Sequence, residues 1–207
     1  MLHKAGQLLI AFLLINFSLI AQQDFLEGRI SKKNIRYKTF KKALKLMEER
    51  GCRTIIETGT ARNGKNDFAD GGSTIIFADW SSKNDALLYS VDIDAQNLEN
   101  AQMAVTEYMP NVILVHSDSV EFLKNFHEQI DFLYLDSFDL DPKNPKPSQK
   151  HHLNEIKAAY SKLSPNCVVM IDDCNYSLTG KGKYVIKFLL KRNWKIVANK
   201  YQVILTR

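Results

Sequence analysis

A chain of 207 residues with 45% hydrophobic and 25% charged side chains has room for one domain with a full core, and no composition break, repeat or low-complexity tract divides it. Its three cysteines, Cys52, Cys167 and Cys174, are odd in number and argue against a disulfide framework, leaving thiols that pack in the core. The net charge of +5 is uneven: residues 31–50 hold eight basic groups against Glu48 and Glu49, residues 181–207 hold eight and no acid, and the middle is net acidic. Solvated helix faces account for such lysines, and a basic rim around an acidic site is the alternative; no nucleic acid partner is expected.

Taken in chain order, residues 1–4 (MLHK) are positively charged and residues 8–20 form an apolar run broken by Asn16 and Ser18. Ala21, ahead of Gln22 and Gln23, supplies a cleavage site. The run suits a signal-peptide core and falls short of the about 20 residues of a spanning helix. Residues 1–23 are therefore read as a signal peptide or membrane-anchor segment, and 24–207 as a single domain. Residues 37–50 place Tyr37, Phe40, Leu44 and Met47 on one helical face and Lys38, Lys41, Lys42 and Lys45 on the other, with Gly51 as the C-cap.

A strand at 54–57 runs into Glu57 and Gly59, and Gly71–Gly72 opens a helix that Ser73 or Thr74 can cap. A second strand, 87–92, ends in Asp92. Strand, glycine turn, helix and acid-ended strand form the βαβ unit that holds an adenosine-containing cofactor. Residues 61–70 separate the two glycine sites, which argues against a dinucleotide fingerprint. A helix at 97–107, a strand at 112–116, a helix at 120–126 and a buried strand at 131–136 follow. The Pro-containing loop 141–148 leads to a helix at 151–163, closed by Ser164-Pro165-Asn166. A fifth strand at 167–171 ends in Asp172–Asp173, a helix spans 183–192, and strands at 194–198 and 202–206 close the chain. The alternation predicts an α/β fold, Rossmann-like and doubly wound, with a mostly parallel seven-stranded sheet and a C-terminal antiparallel β-hairpin.

Glu57, Asp92, Asp118, Asp136 and Asp172 all stand at or just past strand C-termini, which in an open parallel sheet face one crevice. In order along the chain, ETGT with GGST, SVDID, HSDSVEFL, DFLYLDSFD and VVMIDDC resemble the motifs of class I S-adenosylmethionine-dependent methyltransferases. The nearest resemblance is to the small O-methyltransferases of the catechol and caffeoyl-CoA type, and it covers roughly residues 40–207. It implies S-adenosylmethionine as cofactor, held by Glu57, Gly59, Thr60, Gly72, Ser73, Asp92 (at the ribose), Asp118 and Ser119 (near the adenine) and Asp136. It also implies Mg²⁺ or another divalent cation on Asp136, Asp172 and Asp173, as in the metal-dependent members.

This chain departs from that pattern twice. Asp173 stands where those members have asparagine, and Asp139 stands where they have a catalytic lysine. Asp139, or a histidine of the pair His151–His152, is then the candidate base beside Asp136, with His152 taken as the catalytic one. A metal-free site held by Arg/Lys–Asp pairing is the alternative to a cation. Phe138 and Tyr176 are candidates for lining the pocket, and Trp80 and Trp194 for the core.

The expected reaction is O-methylation of a small molecule or sugar. A metal-dependent hydrolase built on the same aspartates, and a non-catalytic domain at a membrane surface, are the other classes weighed. Membrane contact is expected through the N-terminal segment if it is retained. An export signal and a cytosolic cofactor point to different compartments, so cytoplasmic placement stands beside export or tethering.

Overall fold

The computed structural model describes residues 24–66, 72–174 and 180–207. The signal-like segment, Tyr176 and part of the 61–70 loop lie outside them. The sheet strands are β1 (Thr54–Thr58), β2 (Leu87–Asp92), β3 (Val112–His116), β4 (Ile130–Leu135), β5 (Leu163–Ile171), β6 (Lys195–Asn199) and β7 (Val203–Thr206). The helices are α1 (Tyr37–Glu49), α2 (Ser73–Lys83), α3 (Ala95–Val105), α4 (Ser119–Asn125), α5 (Lys146–Ala159) and α6 (Lys183–Leu190). No helix among the described residues is long and apolar enough to cross a membrane.

Strand order is β3-β2-β1-β4-β5-β7-β6, with β1 to β5 parallel and β7 antiparallel to both β5 and β6. The predicted doubly wound sheet with its closing hairpin is therefore present. Side chains alternate across each strand, and β4 shows the result. Phe132 and Tyr134 join Phe40 of α1 and Phe77 of α2 on one face, with ring centroids 5.1–6.1 Å apart. Leu133 and Leu135 join Leu123, Ile156, Val185 and Leu189 on the other. Layers on both faces explain why the central strands read as continuous apolar runs. Trp80 and Trp194, each 2% exposed, are core residues as expected.

The chain leaves β1 toward β2 and β3, then returns to place β4 on the opposite side of β1. This reversal opens a crevice above the C-terminal ends of β1 and β4. Gly59, at φ +85°, makes the close approach there: a Cβ would stand 2.8 Å from the Asp136 carbonyl oxygen.

Several boundaries differ from the sequence reading, each for a local reason. Helix α5 begins five residues before 151, because Pro145 serves as its N-cap and Pro147 sits in the first turn, where no amide hydrogen is needed. Ser164-Pro165-Asn166 does not close a helix but lies within β5, with Pro165 and Asn166 exposed and a register shift opposite Ile130–Phe132. Helix α2 has Gly72 (φ +53°) as N-cap and no side-chain cap, so neither Ser73 nor Thr74 plays that part. Helix α3 starts two residues before 97, capped by the Asp94 side chain.

Candidate active site

The crevice is a cavity of about 290 Å³ whose lining includes Glu57, Gly59, Thr60, Gly72, Ser73, Asp92, Asp136 and Asp139. Nine of the expected site residues, these eight and Asp173, thus meet at one opening, together with Arg36, Arg62 and Lys181.

Glu57 sits at the end of β1, 1% exposed. Its Oε2 accepts from Thr74 Oγ1 at 2.7 Å and lies 2.9 Å from Ser90 Oγ, which is also 2.9 Å from Thr60 Oγ1. Its Oε1 is buried with no hydrogen-bond partner among the described residues. Burial, opposed by the hydroxyl donors, pushes its pKa up to about 7 from 4.5. Below about pH 4.5 the group is neutral in both folded and unfolded chains. Between about 4.5 and 7 only the unfolded chain loses the proton, so stability falls across that window, by on the order of 3 kcal/mol, and then levels off. Glu57→Gln should remove this fall, read as a urea midpoint that declines less than wild type between pH 4.5 and 7.5; identical declines would refute the assignment.

Asp92, at the end of β2, uses Oδ1 to accept from the Asp94 amide (2.9 Å) and Asn97 Nδ2 (3.3 Å), which fixes the carboxylate at the cavity wall. Asp118 and Ser119 lie one strand farther out and do not line this cavity. Asp118 caps α4 through the Glu121 amide at 3.0 Å, and Ser119 Oγ lies 3.0 Å from His151 Nε2.

The three aspartates expected to hold a cation are instead tied to basic side chains. Lys181 Nζ lies 2.5 Å from Asp136 Oδ1 and 3.2 Å from Asp173 Oδ2. Arg36 Nε lies 3.2 and 3.0 Å from the two oxygens of Asp172, which is 1% exposed, and Arg36 NH2 lies 3.5 Å from Asp173 Oδ1. The Tyr201 hydroxyl donates to Asp173, and the Arg36 guanidinium stacks 4.3 Å from the Tyr201 ring centroid. Burial acts to discharge Lys181, but Asp136 and Asp173 outweigh it and hold the ammonium charged. Burial likewise pushes Asp173 up, but Lys181, the Tyr201 hydroxyl and Arg36 bring it below the usual carboxylate range. Among the described residues no group of His, Cys, Asp and Glu is arranged to hold a metal ion. The donor set therefore does not fit the divalent cation that the resemblance implied.

His152 is a second correction. It is wholly buried in the middle of α5 and does not line the cavity. Its Nδ1 donates to the Ser148 carbonyl at 2.7 Å, its Nε2 has no hydrogen-bond partner among the described residues and stands 4.0 Å from Glu155 Oε2, and burial pulls its pKa down to about 4. A base needs hydrogen-bond reach of the proton it takes, and His152 has none. His151 is partly buried, not solvated at a helix start, with Nε2 3.5 Å from buried Glu155, whose Oε1 also accepts from Ser137 Oγ at 2.7 Å. Asp139 is at the mouth, 72% exposed and paired with Arg62 at 2.9 Å. Cys174, raised to about 12 by burial, is no nucleophile.

The sequence reading missed Arg36, Lys181 and Tyr201. The available signal was the Gly180-Lys181-Gly182 tripeptide soon after Asp172–Asp173, since flanking glycines mark a backbone pressed against its neighbours.

A doubly wound sheet with this strand order, and a cavity combining a buried acid, a glycine approach and an acid at the end of β2, define a class I S-adenosylmethionine-dependent methyltransferase. A family model described as "Methyltransferase domain" matches residues 68–174, more than half of the chain, and the protein belongs to that family. No curated protein sequence matches it. Among solved structures it is similar to an O-methyltransferase from Bacillus cereus in complex with S-adenosylhomocysteine (SAH), at 13% identity and TM-score 0.57, covering 93% of this chain and 95% of that one. It is also similar to the O-methyltransferase NovP, at 15% identity and TM-score 0.58, covering 83% and 79%. A precorrin-6y C5,15-methyltransferase from Geobacter metallireducens aligns at 14% identity and TM-score 0.58, covering 87% and 94%.

Proposed function

We propose that the protein transfers the methyl group of S-adenosylmethionine to a hydroxyl oxygen of a small molecule or sugar. The observation that supports this most is the fit of the cavity to the cofactor's polar ends. Glu57 Oε1, buried with no hydrogen-bond partner among the described residues, suits the cofactor's ammonium; Asp92, two strands from Asp136, suits the ribose hydroxyls; Gly59, pressed against the Asp136 backbone, lines the cavity between them. The cofactor, when bound, supplies a methyl group on a cationic sulfur. The chain's own part is to orient the acceptor for in-line attack and to take its proton, with Asp136 and Asp139 as the carboxylates on the β4 side. As the acceptor oxygen bonds to the methyl carbon, the carbon–sulfur bond breaks with its electron pair going to sulfur, and the hydroxyl proton passes to a carboxylate.

Calorimetric titration of the protein with SAH tests the cofactor reading, with one equivalent bound expected. Absence of binding in the folded protein would overturn it. Methyl-labelled cofactor incubated with panels of phenolic and sugar hydroxyl compounds should then place label on oxygen; label found only on nitrogen or carbon would refute O-methylation.

A further inference from the structure

We propose that Lys181 is the built-in cation of this active site: its ammonium takes the position between Asp136 and Asp173 that a divalent ion would need, and it donates to the acceptor oxygen. The second half of this proposal rests on the methyltransferase reading; the first rests on geometry alone.

Lys181 is not a surface lysine that has folded inward by chance. It is 1% exposed as a residue, yet it borders the cavity. Its own amide donates to the Asp173 carbonyl at 3.0 Å, which locks the backbone beside the carboxylates it serves. The flanking glycines permit that contact. A Cβ on Gly180 would lie 2.8 Å from the Asp173 carbonyl oxygen and from Cys174 Cα, and one on Gly182 would lie 2.6 Å from Cys174 Sγ.

The other side of the cluster is closed by a second cation. Arg36 holds both oxygens of Asp172 and reaches Asp173, and the Tyr201 hydroxyl also donates to Asp173. A hard divalent ion needs about six oxygen ligands and would have to displace the ammonium and then sit beside a guanidinium. Both steps are unfavourable in a partly buried site.

An ammonium has three donors, and two point to Asp136 and Asp173. Among the described residues these are its only acceptors, and in this proposal the third donor goes to the oxygen that attacks, where it stabilises negative charge as the hydroxyl proton leaves. This is the electrostatic part that a metal ion plays elsewhere.

The test uses Mn²⁺ and SAH as separate probes on wild type, Lys181→Ala, Lys181→Met and Lys181→Arg. In wild type, calorimetry should show no Mn²⁺ binding up to millimolar concentration, and EDTA should leave SAH affinity unchanged. Lys181→Ala should bind one Mn²⁺ at least about tenfold more tightly than wild type, with a melting temperature that rises on adding Mn²⁺. Lys181→Met, which keeps the chain length without the charge, covers the case in which the alanine variant does not fold, and Lys181→Arg should stay metal-free. Stoichiometric Mn²⁺ binding by wild type that Asp136→Asn removes would overturn the proposal. So would folded alanine and methionine variants that bind no more Mn²⁺ than wild type. Loss of SAH binding in wild type would instead overturn the methyltransferase reading and leave the Mn²⁺ result to stand alone.

Discussion

Asp92→Ala is expected to weaken SAH binding by at least about a hundredfold. Hydrogen bonds to a charged group contribute about 1.5–3 kcal/mol each, and two ribose hydroxyls on one carboxylate make about 3 kcal/mol a lower bound. With tenfold in affinity for every 1.4 kcal/mol, that bound corresponds to about two decades. The carboxylate is already oriented by the Asp94 amide and Asn97 before any ligand arrives, so little ordering offsets the gain. Asp92→Asn, which keeps the shape and loses the charge, should fall between wild type and alanine. Calorimetry with SAH measures all three, and equal affinities would show that the ribose does not sit at the end of β2. The melting temperature of the unliganded protein should change little, since both contacts are near the surface.

Arg36→Ala should produce the largest loss of stability among single changes at the site. Asp172 is 1% exposed and both its oxygens face Arg36. Removing the guanidinium leaves a buried carboxylate without its counter-charge, which costs about 3–5 kcal/mol. In a domain of this size that is a fall of about 10 °C in melting temperature. Adding Asp172→Asn to the same chain should restore part of the fall, because the orphaned charge is then gone. A single variant melting within about 2 °C of wild type would show that the pair is not coupled to folding.

The sheet was legible because buried parallel strands write continuous apolar runs, and the acids that end them mark the edge where ligands bind. Glu57, Gly59, Asp92 and Asp136 were found this way, and all four line the cavity. Prolines misled at two places. Pro147 and Pro165 were read as interruptions, yet one lies in a first helical turn and the other on an exposed stretch of strand. The paired histidines misled because they were placed at a helix start, whereas α5 begins at Lys146 and turns His152 toward the core.

The cations were not legible for a different reason. Arg36 meets Asp172 across 136 residues and Lys181 meets Asp136 across 45. Both basic groups come from connections, not from periodic elements, and local pattern carries no information about which distant carboxylate a connecting segment will reach. Metal-free pairing was foreseeable as a class, but its partners were not.

Tyr201 and Arg36 touch across 165 residues, one ahead of the first strand and the other between the last two. Strand β7, the last of the seven to be made, is interior to the sheet, between β5 and β6. During synthesis, therefore, the five parallel strands emerge with one side of β5 unpaired, and the carboxylates at its end lack their tyrosine donor until Tyr201 has emerged. A chain cut before residue 201 should expose an open edge of β5 and lack the Tyr201 donor to Asp173.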